Sequence, residues 1–242
     1  MIITKLHCPK VDEHVVHRSS LFESLKKGLD RKLILVSATA GYGKTTLISD
    51  WISQHKLRSA WCSLDKRDND PFLFLDILVS SVNKQEEKIG QASLDLLKKP
   101  GSVSPGYILE IFINDLAQLE KEIILVLDDL HLVENEQVFE ILSTLIEYKP
   151  DPLKLVLSTR SDPPLSFARL RSQNEILEIR SDDLGFTPDD TAFLFNKKLK
   201  LGLSVSDLQI LQNKTEGWIA GLQLTALSIK GQENISTFLE KM

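Results

Sequence analysis

Short, mostly apolar runs recur along the chain. Longer stretches, with apolar residues every three or four positions, lie between them. The runs are Leu33-Ile34-Leu35-Val36-Ser37, Ser59-Ala60-Trp61-Cys62-Ser63-Leu64, Ile123-Ile124-Leu125-Val126-Leu127, Leu153-Lys154-Leu155-Val156-Leu157 and Ile176-Leu177-Glu178-Ile179. Runs this short and this apolar suit strands covered on both faces, as in a parallel sheet. Helical spacing links Leu21, Phe22, Leu25 and Leu29, then residues 47–51, then Phe72, Leu75, Leu78, Val79 and Val82, then residues 108–119. Alternating strands and helices predict an α/β fold with helices on both faces of a parallel sheet. Asp70 before Pro71 predicts a capped helix start. Residues 28–31 read as a turn, and the charged, then Pro- and Gly-bearing residues 84–106 read as a surface excursion.

From Ser181 the strand pattern stops. Thr187-Pro188-Asp189-Asp190 is a helix start, followed by Phe193, Leu194 and Leu199. Ser204 or Ser206 opens a second helix. Glu216-Gly217-Trp218 leads into a third, with Ile219, Leu222, Leu224, Ala226 and Leu227 apolar. The expected organisation is an α/β domain over residues 1–181, with an amino-terminal arm, and a small all-helical domain over residues 182–242, inside or just after which the chain stops.

Chemistry concentrates after the first run. Ala38-Thr39-Ala40-Gly41-Tyr42-Gly43-Lys44-Thr45-Thr46 joins a strand to a helix and matches G-x-x-x-x-G-K-[ST], with Ala38 in the first place. Backbone N–H groups of residues 41–46 can cradle a triphosphate, and Gly41 and Gly43 allow the close approach. The new helix aims its positive end at the phosphates. Lys44 supplies charge to the β- and γ-phosphates, and the Thr45 hydroxyl suits Mg²⁺, a cation that prefers oxygen ligands. A second site ends the third run, where Asp128 and Asp129 stand at the carboxyl end of a strand, the usual ligand position in open α/β sheets. Asp128 is expected to hold Mg²⁺ and Asp129 to polarise the attacking water. His131 is read equally well as a γ-phosphate neighbour or as a helix-entry residue. The fourth run ends in Ser158-Thr159-Arg160, and a guanidinium there can sense the γ-phosphate. Lys44, Asp129 and Arg160 are thus the expected catalytic group, with Thr45 and Asp128 as the metal site.

The 242 residues amount to one large domain or one and a half, and the net charge of −5 is mixed in sign along the chain. That charge argues against this segment gripping DNA or an anionic membrane. Two cysteines are too few to staple the fold and fit a reducing compartment. No run is long enough to span a membrane, and Met1-Ile2-Ile3-Thr4-Lys5 lacks a signal core, so a cytoplasmic protein is expected. His7, Cys8, His14 and His17 lie close together without a zinc knuckle's paired spacing. Asp65, Asp68 and Asp70 lack the central Gly and final Glu of a calcium loop and read as a capped connector.

Several segments occur together in one order: Ala40-Gly41-Tyr42-Gly43-Lys44-Thr45-Thr46-Leu47, Ser63-Leu64-Asp65 through Asp68-Asn69-Asp70-Pro71, Leu127-Asp128-Asp129-Leu130-His131, Ser158-Thr159-Arg160-Ser161-Asp162-Pro163-Pro164 with Ala168-Arg169-Leu170-Arg171, Leu184-Gly185-Phe186-Thr187, and Thr215-Glu216-Gly217-Trp218-Ile219-Ala220-Gly221-Leu222-Gln223-Leu224. Over nearly the whole chain this resembles the amino-terminal ATPase module of MalT-like, large LuxR-type transcriptional activators, among the signal-transduction ATPases with numerous domains (STAND). The resemblance implies a five-stranded P-loop sheet of order 5-1-4-3-2. Val16-His17-Arg18 resembles the family's adenine-side motif. The implied nucleotide-binding set is Arg18, Ala40, Gly41, Tyr42, Gly43, Lys44, Thr45, Thr46 and Asp128. Ala38 and Thr39 depart from the usual Gly and Pro.

The expected function is a switch that binds ATP or ADP with Mg²⁺, rests with ADP, self-associates with ATP and hydrolyses slowly. Inducer-sensing and DNA-binding domains belong to full-length relatives and are not visible in this chain. A stand-alone ATPase or kinase-type enzyme and a permanently nucleotide-bound scaffold are the alternatives. A GTPase needs N-K-x-D, and Asn83-Lys84-Gln85-Glu86, Asn196-Lys197-Lys198-Leu199 and Asn213-Lys214-Thr215-Glu216 each lack its Asp.

Overall fold

The structure is a computed structural model that describes residues 2–99, 101, 103–229 and 235–241. Met1, Met242, residues 100 and 102 of the expected excursion and residues 230–234 of the expected helical segment lie outside the described residues.

Strands β1 (Leu33–Ser37), β2 (Ser59–Ser63), β3 (Ile123–Asp128), β4 (Leu153–Thr159) and β5 (Ile176–Ile179) form one sheet in the order β2-β3-β4-β1-β5. Every pairing is parallel. Read from the other edge this is the expected 5-1-4-3-2. Ser37 pairs with Thr159, and Ser63 with Asp128, so the carboxyl ends of β1, β2, β3 and β4 share one rim.

The apolar runs have a direct cause. Alternate residues of a strand face opposite sides, and here both sides are roofed. Leu33, Leu35, Leu125, Leu127, Leu155 and Leu157 face one layer with α3 (Pro71–Asn83), α5 (Pro105–Leu116) and α6 (Glu136–Tyr148). Ile34, Val36, Ile124, Val126 and Val156 face the other, with α1 (Ser19–Gly28) and α2 (Lys44–His55). Trp51 on α2 and Trp61 on β2 are both sealed within this second layer.

Caps set the helix starts. The Asp70 carboxylate accepts from the Phe72 and Leu73 N–H groups at 2.9 and 3.0 Å. Asp70→Ala is expected to cost about 1 kcal/mol of stability, seen as a lower urea midpoint with unchanged slope. Asp65 caps the short 3-10 turn Lys66–Asn69, and Asp68 is taken by Lys5 and by the Asp65 N–H. The excursion differs from expectation. Gln91–Leu97 forms a short helix, α4, packed against α3 and α5. Its buried Ser93 donates to the Ile108 carbonyl. With Ser93 as its one buried residue, this helix has too short a buried face to show in a pattern search.

Between β4 and β5 lies α7 (Phe167–Ser172), and beyond β5 the described residues form α8 (Ser181–Leu184), α9 (Pro188–Ala192), a π-type turn Phe193–Lys198, α10 (Val205–Thr215), α11 (Ile219–Ile229) and α12 (Ile235–Lys241). Thr187 caps α9, and Ser204 rather than Ser206 caps α10. A third apolar cluster, with Phe195, Leu211, Leu222, Ala226 and Ile229 at its heart, binds these helices together. Val16 of the amino-terminal arm belongs to it. On α11, Leu224 and Leu227 face outward, so the apolar pattern there runs round the helix rather than down one side. Among the described residues no helix is long and apolar enough to cross a membrane.

Candidate nucleotide site

The loop from β1 to α2 lies at the strand rim. Its root is tied to β4 by the Ala38 N–H on the Thr159 carbonyl at 3.2 Å. Ala38 fills the place of the first loop glycine and is buried within the second core layer, where a methyl group fits. Gly41 and Gly43 have φ of 86° and 74°, a region that side chains disfavour. Among the described residues the N–H groups of Gly41 and Gly43 meet no acceptor, and the Tyr42 N–H is engaged only by the loose turn it closes back to Thr39. Such donors ahead of a helix N-terminus form a cradle for an anion.

Lys44, the first residue of α2, is buried, and its Nζ donates to the Ala38 and Thr39 carbonyls at 2.6 and 3.1 Å. Burial, and then the nearby Arg160 charge, hold its pKa below the usual lysine value. Thr45 Oγ1 donates to both carboxylate oxygens of Asp128 at 2.9 and 3.1 Å. Burial raises the Asp128 pKa above the usual carboxylate range. A hydroxyl and a carboxylate held together at a polyphosphate cradle are hard oxygen donors of the kind Mg²⁺ takes.

Asp129 follows β3 with φ of 59°, which throws its side chain outward. His131 Nδ1 lies 3.8 Å from Asp129 Oδ1 and is buried without a hydrogen-bond partner. Burial and then the Arg160 charge lower the His131 pKa. Arg160, just past β4, is exposed and lines a shallow cleft of about 360 Å³ with Ser37, Thr39 and Arg180. Asp162, two residues on, is taken by Arg180 and Arg171.

A larger cavity of about 610 Å³ opens on the other side of the loop. Its lining includes Gly41, Gly43 and Thr46 of the loop and the apolar Val16, Leu184, Leu194 and Ile219. The volume and this mixed lining suit a molecule with a charged tail and a flat, weakly polar head.

No protein-family model matches the chain. It is 32% identical over 231 residues to the HTH-type transcriptional regulator MalT of Vibrio cholerae, covering 96% of this chain and 26% of that protein. It is 33% identical over 220 residues to the serine/threonine-protein kinase PknK of Mycobacterium tuberculosis, covering 90% of this chain and 20% of that protein. The chain thus spans about a quarter or less of the curated relatives described here. A solved STAND protein with a tetratricopeptide repeat sensor, from Pyrococcus horikoshii, superposes with a TM-score of 0.64 at 18% identity, over 97% of this chain and 33% of that one. At that identity the likeness shows the fold alone. The chain has the P-loop NTPase fold and is MalT-like over nearly its whole length.

In this MalT-like module the rim brings Ala40, Gly41, Tyr42, Gly43, Lys44, Thr45, Thr46 and Asp128 to one loop, with Asp129 beside them. Arg160 stands on the far side of the loop from the large cavity, within electrostatic range of Lys44. Arg18 borders the large cavity, but its guanidinium donates to the Leu184, Asp183 and Gly185 carbonyls at 2.7, 3.0 and 3.2 Å. It also lies over the Phe186 ring, 5.4 Å from its centroid. Its visible work is to tie the arm to the chain beyond β5. His17 does the complementary job, with Nδ1 2.8 Å from the buried Asp50 carboxylate of α2. These two braces escaped the sequence reading because their partners are 33 and more than 160 residues away. Trp218 and Ala220, which touch the loop itself, escaped it for the same reason.

Proposed function

We propose that this MalT-like module is a nucleotide-operated switch of a transcriptional regulator, binding ATP or ADP with Mg²⁺ and hydrolysing ATP slowly. The observation that carries this reading is the Thr45 and Asp128 pair set beside Lys44 and the open Gly41 and Gly43 N–H groups of the loop. The phosphates take the donors of residues 41–46, and the base enters among Val16, Leu184, Leu194 and Ile219. Thr45 and Asp128 would hold Mg²⁺, which offsets charge on the β- and γ-phosphates. Lys44 leaves the Ala38 and Thr39 carbonyls to meet the incoming phosphates. Asp129 orients the attacking water, and Arg160 meets the γ-phosphate.

ATP and ADP differ only at the group that Lys44 and Arg160 read. Driving a two-state equilibrium from 1:99 to 99:1 takes about 5.5 kcal/mol of differential binding. Two charge-assisted contacts, at roughly 1.5–3 kcal/mol each, supply most of that. The chain beyond β5 walls the cavity through Leu194 and Ile219, so it is placed to respond. The ADP form rests, and the ATP form self-associates; sensing and DNA binding belong to further domains of a full-length regulator. Support comes from the similarity to a MalT regulator over 96% of the chain.

Denaturing the purified chain and chromatographing the supernatant tests this. About one ADP or ATP per chain is expected, or uptake of one after dialysis against ADP and Mg²⁺. A chain that releases no nucleotide and takes none up overturns the reading.

A further inference from the structure

The start of α11 lies directly on the phosphate loop. Trp218 Nε1 donates to the Ala40 carbonyl at 3.0 Å, and the Ala220 N–H donates to the Gly41 carbonyl at 3.0 Å. Three glycines shape the seat of this one indole. A methyl group on Gly41 would lie 2.5 Å from Trp218 Nε1 and 2.7 Å from the Ala220 methyl. One on Gly221 would lie 2.7 Å from Trp218 Cε3. Gly217, at φ of 76°, has the Phe186 backbone where a methyl would stand, and its carbonyl accepts from the Phe186 N–H at 2.9 Å. The ring therefore has a fixed address on the loop, set from both sides.

A trans peptide is flat, and its C=O and the N–H that follows point in opposite directions. Holding the Ala40 carbonyl toward Trp218 therefore turns the Gly41 N–H away from it. Holding the Gly41 carbonyl toward Ala220 does the same for the Tyr42 N–H. The Gly41 N–H has no acceptor among the described residues, and the Tyr42 N–H has only the loose turn back to Thr39. A hydrogen bond to a peptide's oxygen also strengthens its N–H as a donor.

We propose that Trp218 and Ala220 are positioning residues for the phosphate cradle: from outside the loop they hold the Gly41 and Tyr42 N–H groups ready for the polyphosphate. This rests on the nucleotide reading above and deepens it. By linkage the effect is reciprocal, since a polyphosphate that uses those N–H groups favours the docked position of α11.

The test separates the phosphate end of the ligand from the base end. Trp218→Phe keeps an aromatic ring in the seat and removes the donor. Full-length chain is titrated calorimetrically with Mg²⁺-ADP, and adenosine is measured by competition. The expected result is a five- to ten-fold weaker ADP affinity, with adenosine affinity unchanged within two-fold. Ala220→Pro is the second variant. Proline is tolerated in the first turn of a helix, and here it removes the other donor and sets its ring Cδ against the Gly41 carbonyl, so the contact is broken outright. It is expected to show the same split, with circular dichroism confirming the fold of each variant. If both variants retain wild-type ADP affinity, or if ADP and adenosine weaken by the same factor, the proposal is overturned while the nucleotide reading stands. Wild-type chain that leaves ADP unbound removes that reading and the proposal together.

Discussion

Lys44→Ala is expected to weaken ATP and ADP binding by about two powers of ten and to leave the fold intact. The side chain is buried, yet both of its hydrogen bonds go to loop carbonyls, at 2.6 and 3.1 Å, and none to a carboxylate. An ammonium so held has lost much of its hydration without gaining a full counter-charge. Its lowered pKa, caused first by burial, reports that deficit. A polyphosphate supplies the missing charge, and hydrogen bonds between charged groups are worth roughly 1.5–3 kcal/mol. The upper end of that range corresponds to a change of about a hundred-fold in Kd. Calorimetric titration checks the affinity, and a thermal melt within a few degrees of wild type checks the fold. An affinity within three-fold of wild type would show that Lys44 is a structural clasp on the loop and nothing more.

Asp129→Asn is expected to reduce ATP turnover by about two to three powers of ten, with nucleotide affinity nearly unchanged. Asparagine is the better choice over alanine because residue 129 has φ of 59°, a region that Asn tolerates well. The two neighbouring carboxylates are already sorted by their surroundings. Asp128 is buried and held by Thr45, whereas Asp129 is half-exposed beside the unpartnered His131 nitrogen. These settings match the proposed division, metal binding for the first and orientation of water for the second. Single-turnover measurement with radiolabelled ATP gives the chemical step without product release. Equal rates for wild type and Asp129→Asn would withdraw the role from this residue.

Much of the fold was legible because its strands are roofed on both sides. Residues 33–37 and 123–127 admit no reading as half-exposed strands, and the polar residues that follow them mark the rim. The loop was legible because Gly43, Lys44 and Thr45 are adjacent in sequence and act together through local backbone geometry. What stayed hidden depends on pairs far apart in the chain. Asp68 looked like a loop carboxylate, and its partner Lys5 could not be read from position 68. Arg18 resembled a nucleotide contact, and its guanidinium is shared among three carbonyls 165 or more residues away. Helix α4 was missed because its buried face is too short to show a period.

The three tryptophans differ sharply in their access to water. Trp51 and Trp61 are each 1% exposed, whereas Trp218 is 38% exposed and rests against the loop. A collisional quencher such as acrylamide therefore reaches one emitter and not the other two. The native chain carries an optical gauge where α11 meets the loop, and stopped-flow emission can report any change at that contact without an attached dye.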